Sequence, residues 1–175
     1  MDNEHDLIAD CLNHDLAAQK TLYERLAPRM YSICNHFAKT RSETEDILQN
    51  GFIRVFSNLH RYRFEGSFEG WVRRIMINTA INSSKQCRNV NHHISIDLIS
   101  HEPMQCEDAI ARLSEKDILA ILRSLPYSHW TVFNLHEIEG YGHKEIAGML
   151  GISEGTSKSQ LHRAKASIRK KMKEP

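Results

Sequence analysis

The sequence predicts an all-α protein of two small helical domains joined by a flexible linker, the C-terminal domain containing a helix-turn-helix. Apolar residues recur at three-and-four spacing in both halves of the chain, which is the period of amphipathic helices. Between the halves lies a polar segment of weak pattern that contains a proline. Near the C-terminus, two amphipathic segments flank a glycine. The expected boundaries are 5–88 for the first domain, 89–106 for the linker and 107–173 for the second domain.

Charge is distributed unevenly along the 175 residues. The formal net charge is only +1, but residues 1–60 lean acidic and the C-terminal end is strongly basic. The local charge therefore leaves nucleic acid open as a partner. No apolar run is long enough to span a bilayer, and the acidic start MDNEHDLIAD lacks the form of a signal peptide. We therefore expect a cytoplasmic protein that does not insert into membranes.

The cysteines predict reduced thiols rather than a disulfide framework, because they are far apart and show no C-x-x-C spacing. They are Cys11, Cys34, Cys87 and Cys106. A zinc site is the alternative for Cys106 and three histidines of the linker, His92, His93 and His101. Their spacing matches no paired-ligand template, so we expect neither a metal nor a cofactor.

The first domain opens with a short apolar stripe, followed by a helix or helix pair over 16–38 that Pro28 is expected to kink or interrupt. Ser42 and Glu45 have the spacing of a capping box, which predicts the start of a helix reaching Leu59. One face of this helix is polar and carries Asp46, Gln49 and Asn50. Taken alone, that face is best interpreted as solvated.

Residues 60–71 (HRYRFEGSFEGW) mix aromatic and arginine side chains with two glycines. Such a mixture suits unstacked single-stranded bases, because rings stack on bases while cations meet phosphates. The alternative is that the rings close a small core, which is the better interpretation for Trp71. For Tyr62, Phe64 and Phe68 the residues alone leave both interpretations open.

The next predicted helix, about 68–88, is basic on one face. Arg74, Asn78, Asn82 and Lys85 lie four, four and three residues apart, so they share that face. Arg73 adds charge. Asparagine is a poor helix former, so the two asparagines are easier to explain as readers of base edges.

The C-terminal segment His143–Met172 predicts a groove-binding unit. A short amphipathic stretch is broken at Gly151, and Ser153 is placed to cap a second helix with a basic face. The alternative is an ordinary helical hairpin with a solvated basic face. One-sided charge with polar residues at the start of the second helix favours binding in the major groove.

These basic elements on separate domains, with the aromatic loop beside the first, resemble the compact extracytoplasmic-function (ECF) type of bacterial sigma factor in the sigma-70 family. The segments LYERLAPRMY, EDILQNGFIRVFSNL and RYRFEGSFEGWVRRIMINTA are similar to the family's second domain. LPYSHWTVFNLHEIEGY and HKEIAGMLGISEGTSKSQLHRAKASIRKKM are similar to its fourth. The resemblance covers about Leu16 to Met172, and the combined match in the right order is more specific than the helix-turn-helix alone.

The resemblance implies a role for each matched position. Asp46, Gln49 and Asn50 fall where the family binds the β′ clamp helices of core RNA polymerase, which replaces the solvated-face interpretation. Capture and melting of the −10 strand would fall to Tyr62, Arg63, Phe64, Phe68, Arg73, Arg74, Asn78, Asn82 and Lys85. Readout of the −35 duplex would fall to Thr156, Lys158, Ser159, Gln160, His162, Arg163 and Lys165.

Four positions depart from the family's usual pattern. Ser157 stands where an apolar residue, usually valine, packs under the recognition helix. Gln160 stands where arginine is common. Gly142 and His143 replace a serine-aromatic pair before the first helix of the motif. These departures leave the promoter sequence open.

The resemblance implies a transcription initiation factor without catalytic residues, whose partners are core RNA polymerase (β′ clamp helices and β flap) and promoter DNA. Many members are held by an anti-sigma factor, so one is a further candidate partner. A dimeric helix-turn-helix repressor or activator would bind duplex DNA alone. A nucleic-acid enzyme would need a catalytic constellation, and the acidic residues at 43–46 serve a helix start equally well.

Overall fold

In a computed structural model, the described residues are 4–38, 40–91, 121–122 and 124–172, with side chains of 84–91 outside the description. The chain divides into two compact units, Met1–His101 and Glu102–Pro175. All regular structure in the described ranges is helical, as the sequence predicts. None of these helices combines the length and apolar character that a membrane crossing requires.

The first unit contains four helices and one 3₁₀ turn within the described residues. They are α1 (Glu4–Leu12), α2 (Leu16–Phe37), α3 (Arg41–Asn58), the 3₁₀ turn Leu59–Arg61 and α4 (Phe68–Asn91). Helices α2, α3 and α4 pack against one another, and α1 packs on α2. The core between them is closed by fully buried side chains, among them Met30, Val55, Val72, Met76 and Ile77. Each such side chain contributes about 1.5–3 kcal/mol relative to full exposure.

One local expectation for this unit is wrong, and another is wrong in part. Helix α2 runs through Pro28 without interruption, because buried Leu26 and Met30 on either side hold it in the core; a kink at Pro28 stays a prediction. Helix α3 begins at Arg41, and its cap is Thr40, whose hydroxyl accepts a hydrogen bond from the Glu43 amide at 3.1 Å. Ser42 therefore lies inside the helix, and no capping box forms there.

The two thiols of this unit whose side chains the structure describes lie inside it. Cys11 is 3% exposed and Cys34 is fully buried, and both are unpaired. Burial raises the pKa of Cys34 to about 12. Cys34 therefore stays protonated at neutral pH and packs as a small apolar group.

Gly51 of α3 lies directly against the Met76 side chain of α4. A Cβ atom at this position would lie 2.1 Å from the sulfur of Met76, which is fully buried. We expect Gly51→Ala to destabilise this unit by about 1–3 kcal/mol, because the thioether must be displaced within a packed core. Urea unfolding followed by circular dichroism measures the loss.

Gly70→Ala is the matched control for that variant. It also adds a methyl group to a helix of the same unit, but the nearest atom to the new Cβ is 3.7 Å away. We expect it to be neutral or stabilising by up to about 1 kcal/mol. Equal effects of the two substitutions would contradict the close approach at Gly51.

The second unit is described from its Tyr127 helix onward, together with the short stretches before it. Its helices are α5 (Tyr127–Phe133), a π turn (Asn134–Ile138), α6 (His143–Leu150) and α7 (Glu154–Lys171). Gly151 has φ +70° and ends α6 in the left-handed conformation that favours glycine. Ser153 caps α7 as predicted, its hydroxyl accepting from the Thr156 amide at 3.0 Å. Helix α7 packs on both α5 and α6.

Helix α4 continues to Asn91, three residues into the range 89–106 predicted as the linker. The rest of that range lies outside the described residues, including His92, His93, His101 and Cys106. The same holds for 107–120 of the predicted second domain.

Candidate nucleic-acid interface

Helix α7 presents one exposed polar stripe. Lys158, Ser159, His162 and Arg163 are all exposed and lie at i, i+1, i+4 and i+5, on one face. The opposite face is buried against α5 and α6 through Leu161, Ala164 and Ser157. Burying one face fixes which side chains reach outward, so the four polar groups form a single exposed face, called the reading face because the sequence predicts that it reads DNA.

The other sequence-predicted residues of α7 lie beside that stripe. Thr156 and Gln160 are half-buried on its flank. The Lys165 amine lies 2.9 Å from the Glu137 carboxylate of the π turn. Four of the seven positions make polar contacts within the unit: Thr156 with Ser153, Ser159 with the Thr156 carbonyl, Lys165 with Glu137, and Lys158 with Glu154 at 2.8 Å.

The two departures at Ser157 and His143 meet each other. Ser157 is fully buried, and its hydroxyl lies 2.9 Å from Nδ1 of His143 at the start of α6. The hydroxyl that replaces the usual apolar side chain is therefore satisfied. The pKa of His143 is lowered by desolvation and then by the charges of His136 and Lys158.

In the first unit, the loop between the 3₁₀ turn and α4 is held by its own contacts. The Tyr62 hydroxyl donates to the Gly66 carbonyl at 2.8 Å. Phe64 has φ +58°, an uncommon conformation for a bulky residue, and is 46% exposed. Its ring stacks on His5 of α1 with centroids 4.6 Å apart and planes 14° from parallel. The loop thus displays one aromatic ring, supported by α1.

Phe68, expected to meet a base, is instead a core residue. It is 2% exposed and packs edge-on against Tyr62 and face-on against Trp71, with centroids 5.0 and 5.8 Å apart. Burial leaves its ring no surface for a base. Tyr62 is half-buried against the same rings. Of the residues predicted to meet the strand, Phe64 and Arg63 are exposed in this loop, and the acidic Glu65 is exposed beside them.

Helix α4 carries the predicted basic face. Arg74 and Asn82 are exposed, and Asn78 and Arg73 are partly exposed. Lys85 continues this face by helical position, with its side chain outside the description. An open groove of about 300 Å³ lies beside Asn78. Its lining residues are Arg54, Asn58, Arg61, Trp71, Ile75, Asn78 and Thr79.

The polar face of α3 contains an apolar residue that the sequence interpretation missed. Asp46, Gln49 and Asn50 are all exposed. Ile53, seven residues after Asp46, lies on the same face and is 63% exposed. Its position outside the buried stripe of α3 was the available signal. A large aliphatic side chain ringed by polar ones is typical of a protein contact.

Comparisons with known proteins agree on one family. The model "Sigma-70 region 2" matches residues 22–89 and the model "Sigma-70, region 4" matches residues 115–168. The ECF RNA polymerase sigma factor SigE of Mycolicibacterium smegmatis is 30% identical over 153 residues, covering 85% of this chain and 59% of SigE. SigW of Bacillus subtilis is 25% identical over 158 residues, covering 83% of this chain and 84% of SigW. The chain thus spans less than two thirds of SigE.

Solved structures of low identity show the same fold. One is the sigma factor RpoE of Bartonella quintana in complex with the anti-sigma factor NepR, with a TM-score of 0.62 at 17% sequence identity. The superposition covers 89% of this chain and 96% of the RpoE chain. Another is CnrH in complex with the cytosolic domain of CnrY, with a TM-score of 0.54 at 20% sequence identity. That superposition covers 95% of this chain and 94% of the CnrH chain. With both sigma-70 regions matched in order, the chain belongs to the sigma-70 family, in its ECF group.

Proposed function

We propose that this sigma factor directs core RNA polymerase to promoters by gripping DNA at two places, a −35 duplex with α7 and a melted −10 strand with the first unit. The exposed stripe Lys158, Ser159, His162 and Arg163 is the observation that carries this proposal. A buried opposite face and an exposed polar face are what a recognition helix needs. The protein performs no chemistry itself, and it works where the polymerase does, in the cytoplasm.

The −35 contact divides between bases and phosphates. Arg163 is suited to bidentate bonding with guanine, and Gln160 to adenine. Lys158 supplies charge for the phosphates, as does Lys165 once it leaves Glu137. Thr156 lies in the first turn of α7, where the hydroxyl and helix N-terminus suit a phosphate.

The −10 contact uses the loop and the basic face of α4. Unstacking a base costs a few kcal/mol, and stacking on Phe64 returns about 1–3 kcal/mol. Arg63, Arg73, Arg74 and Lys85 neutralise phosphates, while Asn78 and Asn82 contact base edges. Tyr62 and Phe68 support the loop from inside.

The exposed face of α3 binds the polymerase. Asp46, Gln49 and Asn50 surround Ile53 and meet the β′ clamp helices, and the second unit meets the β flap. The segment 89–106 is proposed as the linker between units 5–88 and 107–173. Because RpoE was solved in complex with the anti-sigma factor NepR, an anti-sigma factor is a further proposed partner.

In vitro transcription tests the proposal against its alternatives. The purified protein is mixed with core polymerase and a pool of promoter fragments, and specific transcripts are sequenced. We expect start sites that share a −35 and a −10 element. A repressor would bind duplex fragments without polymerase and yield no transcripts, and a nuclease would cleave them.

The apolar centre of the α3 face gives a specific prediction. Ile53→Ser should weaken binding to core polymerase by about tenfold, because a buried apolar anchor at an interface is lost. A fluorescence competition assay with labelled sigma factor measures this affinity. Leu16→Ser is the matched control, since Leu16 is 79% exposed on α2. Equal losses in both variants would contradict the assignment of the face.

A further inference from the structure

A chain of contacts begins and ends on α7. The Ser157 hydroxyl meets Nδ1 of His143 at 2.9 Å, and the His143 ring stacks on His136 with centroids 4.5 Å apart. Nδ1 of His136 lies 2.7 Å from the Glu137 carboxylate, whose oxygen also meets the Lys165 amine at 2.9 Å. The π turn, α6 and α7 are thereby tied together through polar groups.

Ser157 is the buried end of this series of polar contacts and lies beside the reading face. It is fully buried and directly precedes Lys158 and Ser159 of the exposed stripe. A buried hydroxyl without a partner is costly. His143 supplies that partner only when α7 sits in one rotation and depth against α6, so the contact selects one placement of the reading face.

We infer that His143 is a positioning residue for −35 recognition, acting through the buried hydroxyl of Ser157 to set how α7 presents its reading face. This inference rests on the proposed −35 role of α7. His143 need not touch DNA. His143 and Ser157 are one coupled device, in which each departure from the family's usual pattern accommodates the other.

The charges around His143 make the contact between His143 and Ser157 depend on pH. His136 and Glu137 face it from the π turn, and Glu154 and Lys158 from α7. Lys165 and His136 keep the pKa of Glu137 low, so this carboxylate stays ionised while the histidine titrates. Desolvation and the nearby cations lower the pKa of His143. The placement that keeps it neutral is therefore stable above about pH 6.5 and weakens as pH falls below that value.

A set of substitutions distinguishes the effect of the His143–Ser157 hydrogen bond from the effect of the His143 ring. His143→Phe keeps a ring against His136 but leaves the Ser157 hydroxyl alone, and we expect promoter affinity of the holoenzyme to fall roughly tenfold. His143→Asn keeps a polar group that can accept or donate near the Nδ1 position, and it should restore most of the affinity. The double variant His143→Phe with Ser157→Ala should bind nearly as well as the native chain, because no buried hydroxyl remains.

The pH profile distinguishes positioning from mere packing. The affinity ratio of the native chain to His143→Asn should fall as pH drops from 7.5 to 5.5, a range chosen around the ordinary histidine pKa of about 6.5. Side chains of the reading face are the same in both proteins, so their contribution cancels in this ratio. A flat ratio, or additive losses in the double variant, would overturn the inference.

Arg163→Ala, assayed in parallel, tells failure of the inference from failure of the −35 role. A loss in Arg163→Ala without coupling between positions 143 and 157 overturns the inference alone. An unchanged affinity in Arg163→Ala overturns the −35 role and the positioning role together. In that case, imidazole nitrogen shifts of the free protein still report whether Ser157→Ala disturbs His143.

Discussion

Replacing Arg163 by alanine should weaken holoenzyme binding to a promoter by about 1–3 kcal/mol, the range for a residue that reads a base bidentately. Arg163 is exposed on α7, one turn after Ser159 in the same stripe. The loss should depend on sequence, because a guanidinium that bonds guanine loses two directed hydrogen bonds when truncated. Fluorescence anisotropy with promoters varied at each −35 base pair measures both affinity and preference.

Arg169→Ala provides the control within the same helix. Arg169 is also exposed and cationic, but it lies in the last turns of α7, whereas the start of a recognition helix contacts the bases. Its loss should weaken all promoters alike and lower the salt slope by about one. A sequence-independent loss in Arg163→Ala as well would assign both arginines to phosphates.

Local signals in the sequence predicted much of the second unit. A glycine with positive φ at Gly151 and a serine cap at Ser153 depend on neighbouring residues alone. The paired contact of His143 and Ser157 did not follow from the sequence, because the partners are 14 residues apart and meet only after α6 and α7 pack. The sequence marked both positions as unusual without showing that they are one feature.

In the first unit too, local sequence predicted the helices but not the contacts that arise from packing. The period of apolar residues predicted its helices, but the pattern of the aromatic loop could not tell Phe64 from Phe68. Both rings follow an arginine-rich stretch, and only the packing of α4 turns Phe68 inward to 2% exposure. His5 gave no local signal, because its role as the ring beneath Phe64 arises from the packing of α1.

Replacing Phe64 by alanine should sharply reduce promoter melting while leaving −35 binding unchanged. A stacked base is worth about 1–3 kcal/mol, and the neighbouring rings of Tyr62, Phe68 and Trp71 are half-buried or buried. Permanganate footprinting of −10 thymines measures open complexes. Fluorescence anisotropy with a −35 duplex measures the affinity of α7 for that element. Phe64→Trp should melt promoters normally because it keeps a stacking surface.

The stack on His5 requires a second control, since Phe64→Ala also removes a contact between α1 and the loop. His5→Ala breaks that contact and keeps the phenyl ring. If Phe64 acts by stacking on a base, His5→Ala leaves melting intact or raises it, because more of the ring becomes accessible. If both variants lose melting equally, Phe64 serves to anchor α1, and the capture of the strand falls to the basic face of α4 and the groove beside Asn78.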